Sequence, residues 1–419
     1  MKTIFTNFAP NTEADDARLA LWLMRRPWRW RRGERAAALE DWFREYGGGA
    51  HAFAFDSGRT ALFAILKSLN LTTGDEVLLQ AYTCVAVPNP VIWAKLKPVY
   101  VDIDPATLTM SPADLAKKIT PRSRALIIQH TFGNPAEIMA LLKIARQHNL
   151  IVVEDCAHAL GAKYRGQRVG TFGEAAFFSF GRDKVISSVF GGLAMTRRAP
   201  LAAGLQSFRA DFARPSAAWI FQQLLHPVIT YVVRVTYDFF SLGKMFYFLV
   251  RKVKLLSRSV YPVERRGQPP PFAMKKISNA LAALALHQLA KLPRNNDHRQ
   301  QIARRYDDGL ADLPVKRVKT TPGSEPVWLR YVLLTPKARD LRTYAKRRQI
   351  NLGDWYTQAI APDRVAVEAI AYDSALCPKA EAASEQTVNL PTDVNITSID
   401  ADRIITLLKN YFRHGSKAD

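Results

Sequence analysis

From about residue 51 the chain alternates short apolar runs with stretches whose apolar residues recur at helical spacing, and few folds accept that order. The runs are HAFAFD, EVLLQ, PVYVDID, ALIIQH, LIVVED, AAFFSF and GLAMT, with TALFAILKSLN, PADLAKKI and AEIMALLKIARQHN between them. The pattern predicts buried strands in a mainly parallel sheet covered on both faces. Ligands of such sheets sit beyond the carboxyl ends of the strands, so the residues just after each run are the candidates for chemistry. With 419 residues, 48% hydrophobic and 23% charged, the chain has the length of roughly two to three domains and can bury a large core. Disorder, collagen and a disulfide scaffold are excluded.

The alternation stops near residue 200, which divides the chain into a basic, aromatic N-terminal segment (1–50), a large domain (51–204), an aromatic-basic insert (205–266), a long helix with its linker (267–326) and a small C-terminal domain (327–419). Fifty-nine Lys and Arg against 37 Asp and Glu leave a net charge of +22, which attracts polyanions: nucleic acid, anionic headgroups or phosphorylated substrates. Cys84, Cys156 and Cys377 are odd in number and lack CxxC spacing, so neither a zinc site nor a disulfide framework is expected, and a reducing cytoplasm fits best. The first residues, MKTIFTNFAPNTEADD, show no apolar core of a secretory signal.

Three strand ends carry candidate chemistry. In FDSGRTAL a strand meets a helix at once, and the free N–H groups there, with the Ser57 and Thr60 hydroxyls, would cradle a phosphate; ordinary helix capping needs the same residue types. In LIVVEDCAHALGA the strand delivers Glu154 and Asp155 to its carboxyl end with His158 three positions on, and a carboxylate there needs a cation or strong donor opposite it, unless it is only a cap. In SFGRDK, Ser179, Arg182 and Lys184 follow the next strand, where desolvation would lower the lysine pKa and make its amine a Schiff-base candidate, although most lysines are simply solvated. An anchor, a pyridinium partner and a reactive amine are what a pyridoxal phosphate site needs.

From about Phe53 to Phe412, outside the insert, the sequence resembles the DegT/DnrJ/StrS family of pyridoxal phosphate-dependent sugar aminotransferases, through SGRTAL, KPVYVDIDPATLTM, ITPRSRALIIQHTFGNPAEI, IVVEDCAHALGAKYRGQRVGTFGEAAFFSFGRDK, GGLAMT, AALALHQLAKL and CPKAEAASEQTVNLPT. The resemblance implies the α/β transferase fold of type I: a large domain with a mainly parallel seven-stranded sheet plus a smaller C-terminal α+β domain. It implies that Lys184 bonds the cofactor aldehyde and then moves the α-proton, that Asp155 keeps the pyridine nitrogen protonated, and that Ser179 with the backbone of Gly58 and Arg59, beside Thr60, binds the phosphate. His158 would lie near the ring. Where the family often stacks an aromatic residue on the ring this chain reads AYTCVAV with Cys84, so the stacking falls to neighbouring Tyr82 or is lost. Where the family has a segment reaching the partner subunit's cofactor it reads Pro271-Phe272-Ala273-Met274, with Lys275 and Lys276 as substitutes.

The implied activity is transfer of an amino group from glutamate to a nucleotide-linked keto-sugar, in polysaccharide biosynthesis, by a cytoplasmic homodimer. Arg59 and Arg182 are the first side chains expected on a substrate phosphate or carboxylate. Sugar dehydratases of the same fold typically carry histidine in place of the lysine, and Lys184 argues against that alternative; a basic binding protein that only retains the fold is the other. MRRPWRWRRGER at 24–35 packs six arginines and two tryptophans into one segment, and the insert sets Trp219, Phe221, Tyr231, Tyr237, Phe239, Phe240, Phe246, Tyr247 and Phe248 among Arg234, Lys244, Arg251, Lys252, Lys254 and Arg258. Both suit an anionic headgroup layer better than a specific nucleic acid, so a helical hairpin peripheral to the inner membrane face is expected, with a lipid-linked keto-sugar as the matching acceptor. Burial of the same helices against the protein is the competing expectation.

Overall fold

The seven apolar runs form seven strands: β1 His51–Phe55, β2 Glu76–Gln80, β3 Lys97–Val101, β4 Ser123–Gln129, β5 Ile151–Asp155, β6 Ala175–Ser179 and β7 Gly192–Thr196. They make one sheet in the order β1-β7-β6-β5-β4-β2-β3, parallel throughout except for β7, which runs antiparallel to both neighbours. The computed structural model describes residues 2–253 and 255–415. Lys254, counted among the insert's cations, lies outside the described residues.

The helices that position the site are α1 Ala14–Met24, α2 Arg35–Tyr46, α3 Gly58–Ser68, α4 Ile138–Gln147, α5 Ala217–Thr236, α6 Leu242–Lys252, α7 Asn279–Ala290, α8 Leu292–Gly309, α9 Ala338–Arg347 and α10 Ser398–His414. The strands are apolar without interruption because the sheet is buried on both sides. Ala52, Ala54, Leu78, Val152 and Phe178 face a core completed by Leu39 and Phe43 of α2, Leu141 of α4 and Leu281 and Leu284 of α7. Their neighbours Phe53, Phe55, Leu79, Val153 and Phe177 face the other way, onto Leu62 and Ile65 of α3. A smaller antiparallel sheet, of Lys316–Arg317, Tyr331–Leu334 and Thr387–Leu390, packs with α8, α9 and α10 around its own core of Tyr306, Leu333, Leu341 and Leu408.

The insert divides into two unlike parts. Helix α5 packs along α1 with Ile220, Leu224 and Val233 inaccessible, and the polar residues that interrupt its apolar run, Gln223, His226 and Thr230, are buried as well. Helix α6 buries little beyond Gly243 and Val250. Among the described residues no helix is long and apolar enough to cross a membrane.

Candidate active site

Period two along β5 decides the fate of its two acids. Glu154 turns to the α2 face, where its carboxylate accepts the N–H groups of Gly170 (2.8 Å), Phe172 (2.7 Å) and Gly173 (2.9 Å) and faces His130 Nε2 at 3.2 Å. It holds a turn and takes no part in the cavity. Asp155, one residue on, lies beside Gln129 of β4 and Phe177 of β6 at the sheet's carboxyl edge and lines a cavity of about 370 Å³. Burial pushes its pKa up, opposed by the Ala157 N–H (3.0 Å to Oδ1) and by the charges of Lys184 and His130.

Lys184 and His158 line the same cavity, with Nζ 2.8 Å from Nε2. Burial lowers the lysine pKa, opposed by Cys84, Asp155 and Asp183 and aided by Arg59. Burial also holds His158 well below its ordinary value, helped by Lys184 and Arg330. His158 Nδ1 accepts the Phe132 N–H at 3.3 Å, so the proton of the neutral ring sits on Nε2. Nε2 and the Lys184 amine are thus in direct hydrogen-bond contact. The imidazole is clamped between Phe132 and Trp355 in near-parallel stacks, each 5.8 Å between centroids, and Lys184 Nζ stands 5.2 Å from the Trp355 ring.

Ser57, Gly58, Arg59 and Ser179 line the same cavity. Ser57 caps α3, its Oγ accepting from Thr60 N (3.3 Å) and meeting Thr60 Oγ1 at 3.0 Å. That leaves the Gly58 and Arg59 N–H groups beyond reach of any helical carbonyl, with both residues lining the cavity beside Ser179. The approach is close enough to require glycine: a Cβ on Gly58 would fall 2.8 Å from Ser179 Cβ, and one on Gly192 2.3 Å from Gly58 N. Thr60 itself is inaccessible and serves the cap, not the cavity wall.

Several expected contacts take a different form. Cys84 lines the cavity; Tyr82 does not, because its ring is buried edge-on to Phe132 and Tyr356 with its hydroxyl 2.6 Å from Thr387 Oγ1. The Arg59 guanidinium, expected on a substrate anion, is paired with the inaccessible Glu264 and donates to Ser259 O (2.8 Å). Arg182 is held by the carbonyl and hydroxyl of Ser257. Lys276 Nζ donates to Ala210 O (2.8 Å), and the Lys275 N–H to Asp56 Oδ2 (3.2 Å). Trp355 and Tyr356, which join the site from the small domain, escaped the sequence reading; the aromatic pair in GDWYTQ was the available signal.

Three comparisons place this arrangement among known proteins. Over 403 residues the chain is 28% identical to GDP-perosamine synthase of Caulobacter vibrioides, covering 96% of each protein. It superposes on DesV of S. venezuelae with a TM-score of 0.74 at 26% identity, over 97% of this chain and 95% of that one. Helicobacter pylori PseC, an aminotransferase involved in pseudoaminic acid biosynthesis, shares the fold with a TM-score of 0.76 at 19% identity, over 98% and 99% of the two chains. The model of the DegT/DnrJ/EryC1/StrS aminotransferase family matches residues 10–234 and 265–409, which carry Ser57–Thr60, Asp155, His158, Ser179 and Lys184 and leave out the two ends and residues 235–264 of the insert; the chain belongs to that family.

Proposed function

We propose that this aminotransferase uses pyridoxal phosphate to move an amino group from glutamate to a nucleotide-linked keto-sugar. The observation that carries the reading is one cavity lined by the buried Lys184 amine in contact with His158, the buried Asp155 carboxylate, and the Gly58–Arg59 helix start with Ser179. Such a donor set fits pyridoxal phosphate: the Gly58 and Arg59 N–H groups and Ser179 for the phosphate, Asp155 for the ring nitrogen, Lys184 for the aldehyde. When bound, the cofactor supplies a carbonyl that takes up amino groups and a ring that spreads the charge left at a deprotonated carbon.

The chain's own residues do the rest. Asp155, ionised against a cationic ring nitrogen, would recover the Coulomb energy that its burial costs it. Lys184 Nζ, its pKa lowered by burial, would act as the nucleophile in its unprotonated form and afterwards take and return the substrate proton, with His158 Nε2 fixing its position. Phe132 and Trp355 keep water away from the imidazole. Similarity to a GDP-perosamine synthase over nearly the whole chain supports a nucleotide-linked sugar as acceptor; glutamate and a homodimer enter through family membership. Adding glutamate to the loaded enzyme should bleach its visible absorbance in a single turnover, and a nucleotide-linked keto-sugar should restore it. Absorbance indifferent to every amino acid donor would end the proposal.

Peripheral membrane attachment is part of the proposal, confined to α6 and its approaches. Phe240 and Phe248 are 84% and 71% exposed, and Phe239, Met245, Leu249 and Val253 are exposed around them, with Lys244, Arg251 and Lys252 on the same helix. Apolar side chains among cations match an anionic headgroup layer. Replacing Phe240 and Phe248 by Ser removes about 3 kcal/mol of apolar transfer, so binding to phosphatidylglycerol vesicles should fall roughly a hundredfold in sedimentation assays. Equal pelleting of variant and wild type would refute membrane attachment through α6.

A further inference from the structure

A second chamber, of about 700 Å³, opens beside the active cavity, and Arg182, Asp183, Ser259, Val260 and Arg265 line both. The two spaces therefore share a wall. Tyr247, Arg251 and the run Leu256–Pro262 form much of the second chamber's wall, and they fall in residues 235–264, which the family match omits. The chamber is thus built largely by a segment this chain adds to the family's common frame.

Its chemistry is that of an anion site. Arg182, Arg251, Arg258 and Arg265 line it, against one carboxylate, Asp183, whose pKa burial pushes up. His226, also in the wall, is held neutral, since burial drives its pKa well below the ordinary value. None of the four arginines makes an ion pair among the described residues, in contrast to Arg59, which Glu264 neutralises. Arg182 is anchored by Ser257, whose hydroxyl donates to Gln223 Oε1 at 2.5 Å. Its Nε, like that of Arg265, is buried without a hydrogen-bond partner. Orphaned donors on charged groups are costly unless an acceptor arrives. Several guanidinium groups around one space suit an anion with acceptor oxygens on two centres, and guanidinium binds phosphate through paired N–H donors.

We propose that this chamber is a diphosphate site, which holds the diphosphate joining the acceptor's sugar to its carrier while the sugar lies beside Lys184. The proposal rests on the sugar-acceptor reading above and adds where the carrier is gripped and by which residues. Nucleotide-linked and lipid-linked sugars share the diphosphate, and the test has an arm for each.

Arg251 and Arg258 are exposed and lie outside the catalytic cavity, so R251Q/R258Q can be made without disturbing the core. Inorganic diphosphate titrated calorimetrically into the cofactor-loaded enzyme should bind wild type at least tenfold more tightly than the double variant. A control double variant on other faces, R146Q/R304Q, removes the same charge and should change the affinity less than twofold. Guanosine diphosphate and a short prenyl diphosphate should both lose affinity in R251Q/R258Q, and whichever binds wild type more tightly than inorganic diphosphate identifies the carrier. The glutamate half-reaction should be unchanged. Equal diphosphate affinity in wild type and R251Q/R258Q, or an equal loss in the control, overturns the site. Loss of diphosphate binding in a protein that never reacts with glutamate keeps the site and overturns the aminotransferase reading.

Discussion

Lys184→Ala should leave a folded protein that retains less than about one part in 10⁴ of the wild-type transamination rate, because one amine serves both as nucleophile and as proton carrier. The structure makes this loss specific. Among the described residues Lys184 is the only lysine lining the cavity, where its amine contacts His158 and the Trp355 ring. Treating the cofactor-loaded enzyme with borohydride should place the cofactor on a single peptide, the one containing residue 184, and on none in the variant. Removing a side chain from a cavity wall should move the melting temperature by only a few degrees, so lost activity will not reflect lost fold. Small primary amines added to the variant should restore a measurable fraction of the rate. A cofactor adduct on another lysine, or a variant that still turns over, would remove Lys184 from the mechanism.

What the sequence disclosed and what it hid follow from the range of the interactions involved. A strand buried on both faces must be apolar at every position, so the seven runs announce themselves locally, and alternation with helices leaves the parallel sheet as the arrangement that connects them. The sequence likewise brings Asp155, Ser179 and Lys184 to one edge of the sheet, because the first two end visible strands and the third lies in the turn after β6. The partners of Tyr82 and Arg59 are not local. Tyr82 is turned into the core by contacts with Phe132, Tyr356 and Thr387, and the pair Thr83–Cys84 lines up with Ile360–Ala361, nearly 280 residues downstream. The Arg59 charge is cancelled by Glu264, two hundred residues away. Helix α5 shows the limit most clearly. Its apolar run broken by Gln222, Gln223, His226 and Pro227 reads as an interfacial helix when it is alone, but Gln223, His226 and Thr230 turn inward, where Gln223 donates to Trp219 O and Thr230 to His226 O. The family match through residue 234 likewise draws the added segment tighter than the aromatic composition suggested.

Asp155→Asn should move activity and stability in opposite directions, which separates a cofactor partner from a simple turn cap. The amide preserves the shape and leaves Oδ1 to accept the Ala157 N–H, so the turn survives. What disappears is the negative charge. Transamination should fall by about 10³-fold, the scale of removing one preorganised electrostatic partner from a developing charge. For the cofactor-free protein the sign is reversed. The folded-state pKa of Asp155 is raised, chiefly by burial, so its contribution to stability is fully present below the unfolded carboxylate value near 3.9 and is lost as pH rises through the raised folded value. Above that window the wild-type apoprotein carries a desolvated charge that the variant lacks. Apo Asp155→Asn should therefore melt higher than apo wild type at about pH 8 and lose the advantage on titration towards about pH 4. Loading with pyridoxal phosphate should stabilise wild type more than the variant, because only wild type presents a charge to the ring nitrogen. If the two apoproteins melt alike across that range while the reaction rate is untouched, Asp155 caps a turn and the electron demand on the ring must be met by another group.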